Sequence, residues 1–233
     1  MTNKLWNKLA GNFNTYKIKV WQGASDNIDA VWPVILSYVK TAFANPEGLR
    51  ALDFGCGTGM FCRELKGLGF GVCGIDISEK MVRIGKANIN QKIELLVGSA
   101  QTAQKYSEKN GKFDLITSIM VLQFLEEKEI ALLCESLKIG GQIIFANHSL
   151  EYLKENGITN ILHLTNKKIP VNVYPRPLKE YNKLLKKFGC KNVFDVYSGL
   201  SKKFFNENKI NKISKNPKYQ VLGYKKIAKG VFK

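Results

Sequence analysis

Residues 51–59 read Ala51-Leu52-Asp53-Phe54-Gly55-Cys56-Gly57-Thr58-Gly59, an apolar run that ends in three glycines spaced by single residues. Helix-compatible sequence follows from Gly59 to Leu68. A second apolar run, Val72-Cys73-Gly74-Ile75, ends at Asp76, twenty-one residues beyond Gly55. A strand, a glycine turn, a helix and a second strand closed by an acid make up a nucleotide-binding βαβ unit. Residues without Cβ allow the tight turn, let backbone N–H groups approach a ligand, and let the helix start close to the sheet. The dinucleotide fingerprint needs its third small residue at position 60, where Met60 stands, so the spacing here is G-x-G-x-G.

The alternation continues outward from this unit. Strands are expected at 49–54, 72–75, 93–97, 113–117 and 142–147, with helices at 59–68, 79–90 (capped by Ser78), 101–106 and 126–137 between them. Leu137-Lys138-Ile139-Gly140-Gly141 reads as a turn. Two further strands, 191–197 and 219–227, are expected to pair as an antiparallel C-terminal hairpin at the sheet edge, after a helix over 178–188 that Gly189 ends. On the N-terminal side, 4–22 and 27–43 carry apolar residues at near-helical spacing and form a helical cap. The predicted architecture is α/β: a Rossmann-like, seven-stranded, mostly parallel sheet with helices on both faces. One domain is expected over 1–233: a cap (1–45), a cofactor-binding half (46–150) and a basic, substrate-side half (151–233). Prolines 170, 175 and 177 punctuate the connector from 151 to 177.

Composition narrows the class. At 45% apolar residues the chain is globular. No apolar run is long enough to span a membrane, and residues 1–8 lack a signal-peptide core, so a cytoplasmic location is expected. Five cysteines without paired spacing argue against a disulfide framework, and no metal site is expected. The net charge of +17 is uneven: 17 Lys+Arg against 14 Asp+Glu in residues 1–150, but 19 against 5 in 151–233. That surplus is either solvated surface in a Lys/Asn/Ile-rich chain or the mark of an anionic partner.

Taken together, these motifs resemble the class I S-adenosylmethionine-dependent methyltransferases over residues 49–147. The resemblance implies S-adenosylmethionine as cofactor. It implies that Gly55, Cys56, Gly57 and Gly59 line its methionine part, with Asp53 organising the loop. Asp76 then holds both ribose hydroxyls, since a carboxylate accepts two hydrogen bonds from a vicinal diol, and Ile77 packs on adenine. Gly98-Ser99-Ala100 matches the adenine-contacting segment, with Ser99 in place of the usual acid. The end of the fourth-strand motif, Ser118 to Gln123, borders the sulfonium and the substrate. Asp114, at the start of that motif, reads as structural. His148, at the end of the fifth strand, sits where a base or substrate contact belongs. Tyr16 and Trp21 either close a lid over the cofactor or bury a helix face.

Substrate pointers are fewer. No Asn/Asp-Pro-Pro-aromatic motif follows the fourth strand, and no proline precedes a cysteine, which argues against adenine-N6 and cytosine-C5 methylation. Tyr174-Pro175-Arg176-Pro177-Leu178 followed by Leu184-Leu185 resembles a segment of small-molecule methyltransferases acting on quinone precursors, small acids and natural products, in which the stretch between the fifth strand and this helix roofs the substrate. Val121-Leu122-Gln123-Phe124 resembles the Leu/Val-Gln-Trp of enzymes that methylate carboxylates. Arg176 either receives an anionic or carrier-bound acceptor or pairs with Glu180. The expected function is methyl transfer to a small molecule, at a hydroxyl or carboxylate oxygen. The alternatives are an RNA or protein methyltransferase using the basic C-terminal third, and a non-catalytic cofactor-binding regulator.

Overall fold

The computed structural model describes residues 3–10, 28, 30–89, 92–155, 157, 161–164, 169–174, 176–199 and 218–229. Seven strands form one sheet: β1 (Arg50–Phe54), β2 (Gly71–Asp76), β3 (Glu94–Val97), β4 (Phe113–Ile119), β5 (Leu137–His148), β8 (Cys190–Ser198) and β9 (Tyr219–Lys226). Their order is β3-β2-β1-β4-β5-β9-β8. Strands β1 to β5 are parallel, and β9 is antiparallel to both of its neighbours. The chain winds outward from β1 to β3, then returns to place β4 on the other side of β1. Ligands of open α/β sheets bind at such a switch point, outside the carboxyl ends of the strands.

Both faces of the sheet are buried, so its strands are apolar on alternate and intervening positions alike. One face carries Leu52, Phe54, Ile75, Ile116, Ile143 and Phe145. It packs against α5 (Ala100–Asn110), α6 (Glu127–Glu135) and α8 (Leu178–Lys187) through residues such as Ala103, Ile130, Leu133 and Leu184. The other carries Ala51, Val72, Leu115, Ile144 and Ala146. It packs against α2 (Trp32–Ala42), α3 (Met60–Gly67) and α4 (Glu79–Asn88) through Ile35, Val39, Leu65 and Val82. Pro33 in the first turn of α2 removes an N–H that has no intrahelical partner there.

Several boundaries differ from expectation. The polar helix after β3 runs on to Asn110, because Ala103 and Ser107 bury a full face of it. The Lys138–Gly141 stretch is not a free turn. Strand β5 starts at Leu137 opposite Phe113 and shifts register before Gln142 pairs with Leu115. The connector after β5 holds a short helix, α7 (Leu150–Glu155), and a two-stranded antiparallel ribbon, β6 (Ile161–Leu164) with β7 (Ile169–Asn172). The first N-terminal helix, α1, covers Asn3–Leu9. The rest of the expected 4–22 helix, with Tyr16 and Trp21, and the loop from 202 to 217 lie outside the described residues.

Candidate functional site: a crevice over the ends of β1, β4 and β5

The turn after β1 is main chain locked to β2. The N–H groups of Gly55 and Cys56 both donate to the Ile75 carbonyl, at 2.7 and 3.2 Å. Gly55, Gly57 and Gly59 all have positive φ (75°, 56° and 77°), a region costly to residues with Cβ. The surroundings of the three differ. A Cβ on Gly55 would lie 2.2 Å from Val121, and one on Gly59 would lie 2.7 Å from Ile89. Among the described residues a Cβ on Gly57 would meet nothing within 4 Å, so with respect to them this residue faces open space. Cys56 turns its sulfur down toward β2, where a Cβ on Gly74 would sit 2.9 Å from it, so only its backbone faces outward.

Asp76 ends β2 beside that open space. One carboxylate oxygen accepts from the Gly57 N–H (2.8 Å), the other from the Ser78 N–H (2.7 Å). An ionised carboxylate has about four acceptor positions, so about two remain for a diol. Burial raises the carboxyl above its ordinary range, against the pull of these two donors. Ile77 follows in a bend, and Ser78 caps α4 by accepting from Met81 N–H. Gly98 N–H bonds the Asp76 carbonyl, which brings Gly98-Ser99-Ala100 alongside. Ser99 precedes α5, and its N–H donates to Thr102 Oγ1 at 3.2 Å.

Asp53 lies below the loop and is 3% exposed. Thr117 Oγ1, its cross-strand partner, donates to it at 2.9 Å, and the Cys62 thiol reaches it at 3.6 Å. Burial pushes its carboxyl up to about 7, with the Thr117 and Cys62 hydrogen bonds opposing. Asp53 thus ties the loop's base to α3 and β4. Asp114 binds the Arg50 N–H and the Lys138 ammonium at the opposite end of the sheet.

The far wall is the end of β4 and β5. Ser118 Oγ and Asn147 Oδ1 are buried without hydrogen-bond partners among the described residues. Met120 takes a left-handed backbone (φ 61°), rare for a non-glycine residue, while its N–H holds the Ala146 carbonyl at 2.6 Å. The chain then makes a 3-10 turn, Leu122–Phe124. Gln123, expected to border the donor, is buried with its amide oxygen turned onto His148: 3.3 Å from the backbone N and 3.2 Å from Nδ1. The His148 ring stacks with Tyr152 of α7 and Tyr219 of β9, each at 5.5 Å. The Lys218 ammonium lies over both tyrosine rings. Burial, helped by the Lys218 charge, lowers the His148 pKa to about 3, so the ring is neutral at neutral pH.

Two segments bridge the walls. Asn7 of α1 accepts from Ser78 Oγ and Lys80 N–H beside Asp76, at 2.8 and 3.1 Å. The neighbouring Trp6 packs edge-on against Phe124, at 5.5 Å. Val173, Tyr174 and Arg176 come in from the connector. Val173 is buried against Phe124, and Tyr174 N–H bonds the Gln123 carbonyl at 2.7 Å. Arg176 donates to the Leu125 carbonyl at 3.4 Å, and its guanidinium lies 5.9 Å from the Tyr174 ring. Among the described residues no ion pair joins it to Glu180, because the guanidinium turns to the 3-10 turn instead.

Sequence reading missed Trp6, Asn7, Tyr152, Lys218 and Tyr219 at this site. Only Tyr152, four residues past His148, stood in a sequence position that could have drawn attention. The open face at Gly57, the free acceptor positions of Asp76 and the bordering Gly98-Ser99 segment fit an adenosine-bearing group with a vicinal diol.

Comparison with known proteins agrees with this reading. Among curated proteins, the ubiquinone biosynthesis O-methyltransferase of Thiobacillus denitrificans is 26% identical over 157 residues, 66% of this chain. The match spans 65% of that relative's length. An S-adenosylmethionine dependent methyltransferase structure from Mesorhizobium loti superposes with a TM-score of 0.64 at 18% identity, covering 83% of this chain and 96% of that one. The magnesium protoporphyrin IX methyltransferase of Synechocystis PCC 6803, solved with bound SAH, gives 0.56 at 18% identity, covering 83% and 81%. Residues 32–194 match the family model of a methyltransferase domain, and the chain belongs to that family.

Proposed function

We propose that this chain transfers a methyl group from S-adenosylmethionine to an oxygen atom of a small molecule. The cofactor is S-adenosylmethionine. When bound, it supplies a methyl group on a positively charged sulfur and a neutral thioether leaving group. The observation that carries the reading is the glycine turn whose central residue faces open space beside a carboxylate with acceptor positions to spare.

In this reading the backbone of Gly55, Cys56, Gly57 and Gly59 seats the methionine part. Asp76 takes the ribose hydroxyls, Ile77 and the Ser99-Ala100 segment take adenine, and Ser118 borders the reacting centre. Asp53 stiffens the loop from beneath. Residues 46–150 are the cofactor half and 151–233 the substrate-side half of one domain. The protein's main contribution is alignment and exclusion of water, since the leaving group needs no activation. Val173, Tyr174, Arg176 and α1 roof the crevice.

At a hydroxyl acceptor, His148 would take the hydroxyl proton as the oxygen receives the methyl group that bound S-adenosylmethionine would supply. Imidazole of low basicity suffices, because the proton becomes strongly acidic only as the new carbon–oxygen bond forms. A carboxylate acceptor needs no base, and Arg176 beside the exposed Tyr174 offers it a cation. The O-methyltransferase relative supports oxygen as the acceptor atom.

Isothermal titration with S-adenosylmethionine tests the cofactor, and incubation of a fractionated cell extract with methyl-labelled cofactor tests the acceptor. Label in low-molecular-weight organic solutes is expected. Label in RNA or protein would transfer the assignment to a macromolecular acceptor, and absence of cofactor binding would end it.

A further inference from the structure

We infer that Gln123 is a positioning residue: its amide oxygen holds His148 as the Nδ1–H tautomer and leaves the Nε2 lone pair as the acceptor presented to substrate. The catalytic consequence rests on the proposed methyl transfer, but the tautomer does not.

The geometry decides which atoms carry hydrogen. A single Gln123 atom, Oε1, lies 3.3 Å from the His148 backbone nitrogen and 3.2 Å from its Nδ1. A backbone N–H only donates, so the amide end facing it is the oxygen. A flipped amide would set NH2 against N–H. Since that end is an acceptor, the ring nitrogen beside it must be the donor. A neutral imidazole has one N–H, so placing it on Nδ1 makes Nε2 an acceptor. No described residue hydrogen-bonds Nε2.

The surroundings hold this arrangement in place. Tyr152 and Tyr219 stack on the imidazole at interplanar angles of 18° and 23°, which resists rotation of the ring. Tyr219 is the direct cross-strand partner of His148. Gln123 is fixed in turn: it lies within the 3-10 turn, is 2% exposed, and its carbonyl accepts from Tyr174 N–H at 2.7 Å. A roof residue, the turn after β4 and the end of β5 therefore meet at one residue, the first through its backbone carbonyl and the last through its side-chain amide. Gln123 touches neither reacting atom in this scheme and acts through His148.

The test is nitrogen NMR of protein labelled with 15N-histidine in a His163→Gln background, which leaves His148 as the one histidine. The expected spectrum has a protonated Nδ1 and an unprotonated Nε2, with no ligand added. The reverse pattern would overturn the inference without bearing on methyl transfer. Gln123→Glu sets a carboxylate against Nδ1 and is expected to draw a second proton onto the ring at neutral pH. An unchanged spectrum would show that residue 123 does not reach the ring. Gln123→Met removes the acceptor, and with methyl-labelled S-adenosylmethionine and the extract fraction that accepts label it should lower kcat about tenfold. The KM for the cofactor should be unchanged. Gln123→Met is expected to cost nothing further in a His148→Ala background, and additive losses would contradict the coupling. Absence of transfer by wild-type protein, with the expected spectrum intact, would count against the proposed function alone.

Discussion

At the β1–β2 end of the crevice the framework is mostly main chain: three left-handed glycines, two N–H groups bound to Ile75, and one carboxylate held by two further N–H groups. At the β4–β5 end it is side chain. Gln123, His148, Tyr152 and Tyr219 come from a turn, a strand, a helix and a distant antiparallel strand. A surface built from backbone tolerates change around it as long as the glycines stay. One built from side chains can be rebuilt residue by residue for a new acceptor. The division matches a common donor served to variable substrates.

Asp76→Ala should give the largest separation of the two ends. Two charge-assisted hydrogen bonds to the ribose, at roughly 1.5–3 kcal/mol each, predict about a 100-fold or greater loss of S-adenosylmethionine affinity by titration calorimetry. Affinity within a few-fold of wild type would remove the ribose from that carboxylate. His148→Ala belongs to the other end. Single-turnover transfer to a hydroxyl acceptor should slow about 100-fold while cofactor affinity stays put. An unchanged rate would leave a carboxylate acceptor as the surviving form of the reading.

The same two ends pull stability in opposite directions with pH. Asp53 titrates at about 7 when folded, against 3.8 in the unfolded chain. Between those values the folded chain keeps a proton that the unfolded chain has released, so this group makes stability fall as pH rises. His148 is held near 3 against 6.5. Between those values the unfolded chain binds the extra proton, so this group makes stability rise with pH. At about 1.4 kcal/mol per pKa unit, each slope amounts to roughly 4–5 kcal/mol, and in the wild type they largely cancel. Urea unfolding from pH 4 to 7 should show stability rising with pH in Asp53→Asn and falling in His148→Gln. Parallel profiles in the two variants would contradict both assignments.

The contrast also explains what the sequence could and could not tell. Glycines 55, 57 and 59 and Asp76 lie within one βαβ unit, and their placement side by side follows from spacing because local backbone geometry sets it. The open sheet and its closing hairpin were legible for the same reason: each strand announces itself by its own apolar run. His148 and Tyr219 are 71 residues apart and meet only through the β5–β9 register. Nothing local in sequence sets that register. Asn7 reaching Ser78 and Lys80, and Trp6 reaching Phe124, depend likewise on where α1 docks. Met120 carries no signal at all, since its left-handed backbone is imposed by the hydrogen bond to Ala146 and the turn after it.

The central claim, that the open side of the glycine turn is where the donor sits, has a matched control within the molecule. Gly57 and Gly140 both have positive φ, and a Cβ on either meets no atom of the described residues within 4 Å. Gly140 lies at the opposite end of the sheet, in the first part of β5. Replacing either by alanine should cost about 1–2 kcal/mol of left-handed strain and lower the unfolding midpoint similarly. Calorimetric titration with S-adenosylmethionine should then part them: about tenfold weaker binding for Gly57→Ala, from a methyl group set into the ligand's space, and wild-type binding for Gly140→Ala. Equal affinities in the two variants would mean that the donor does not rest on this turn.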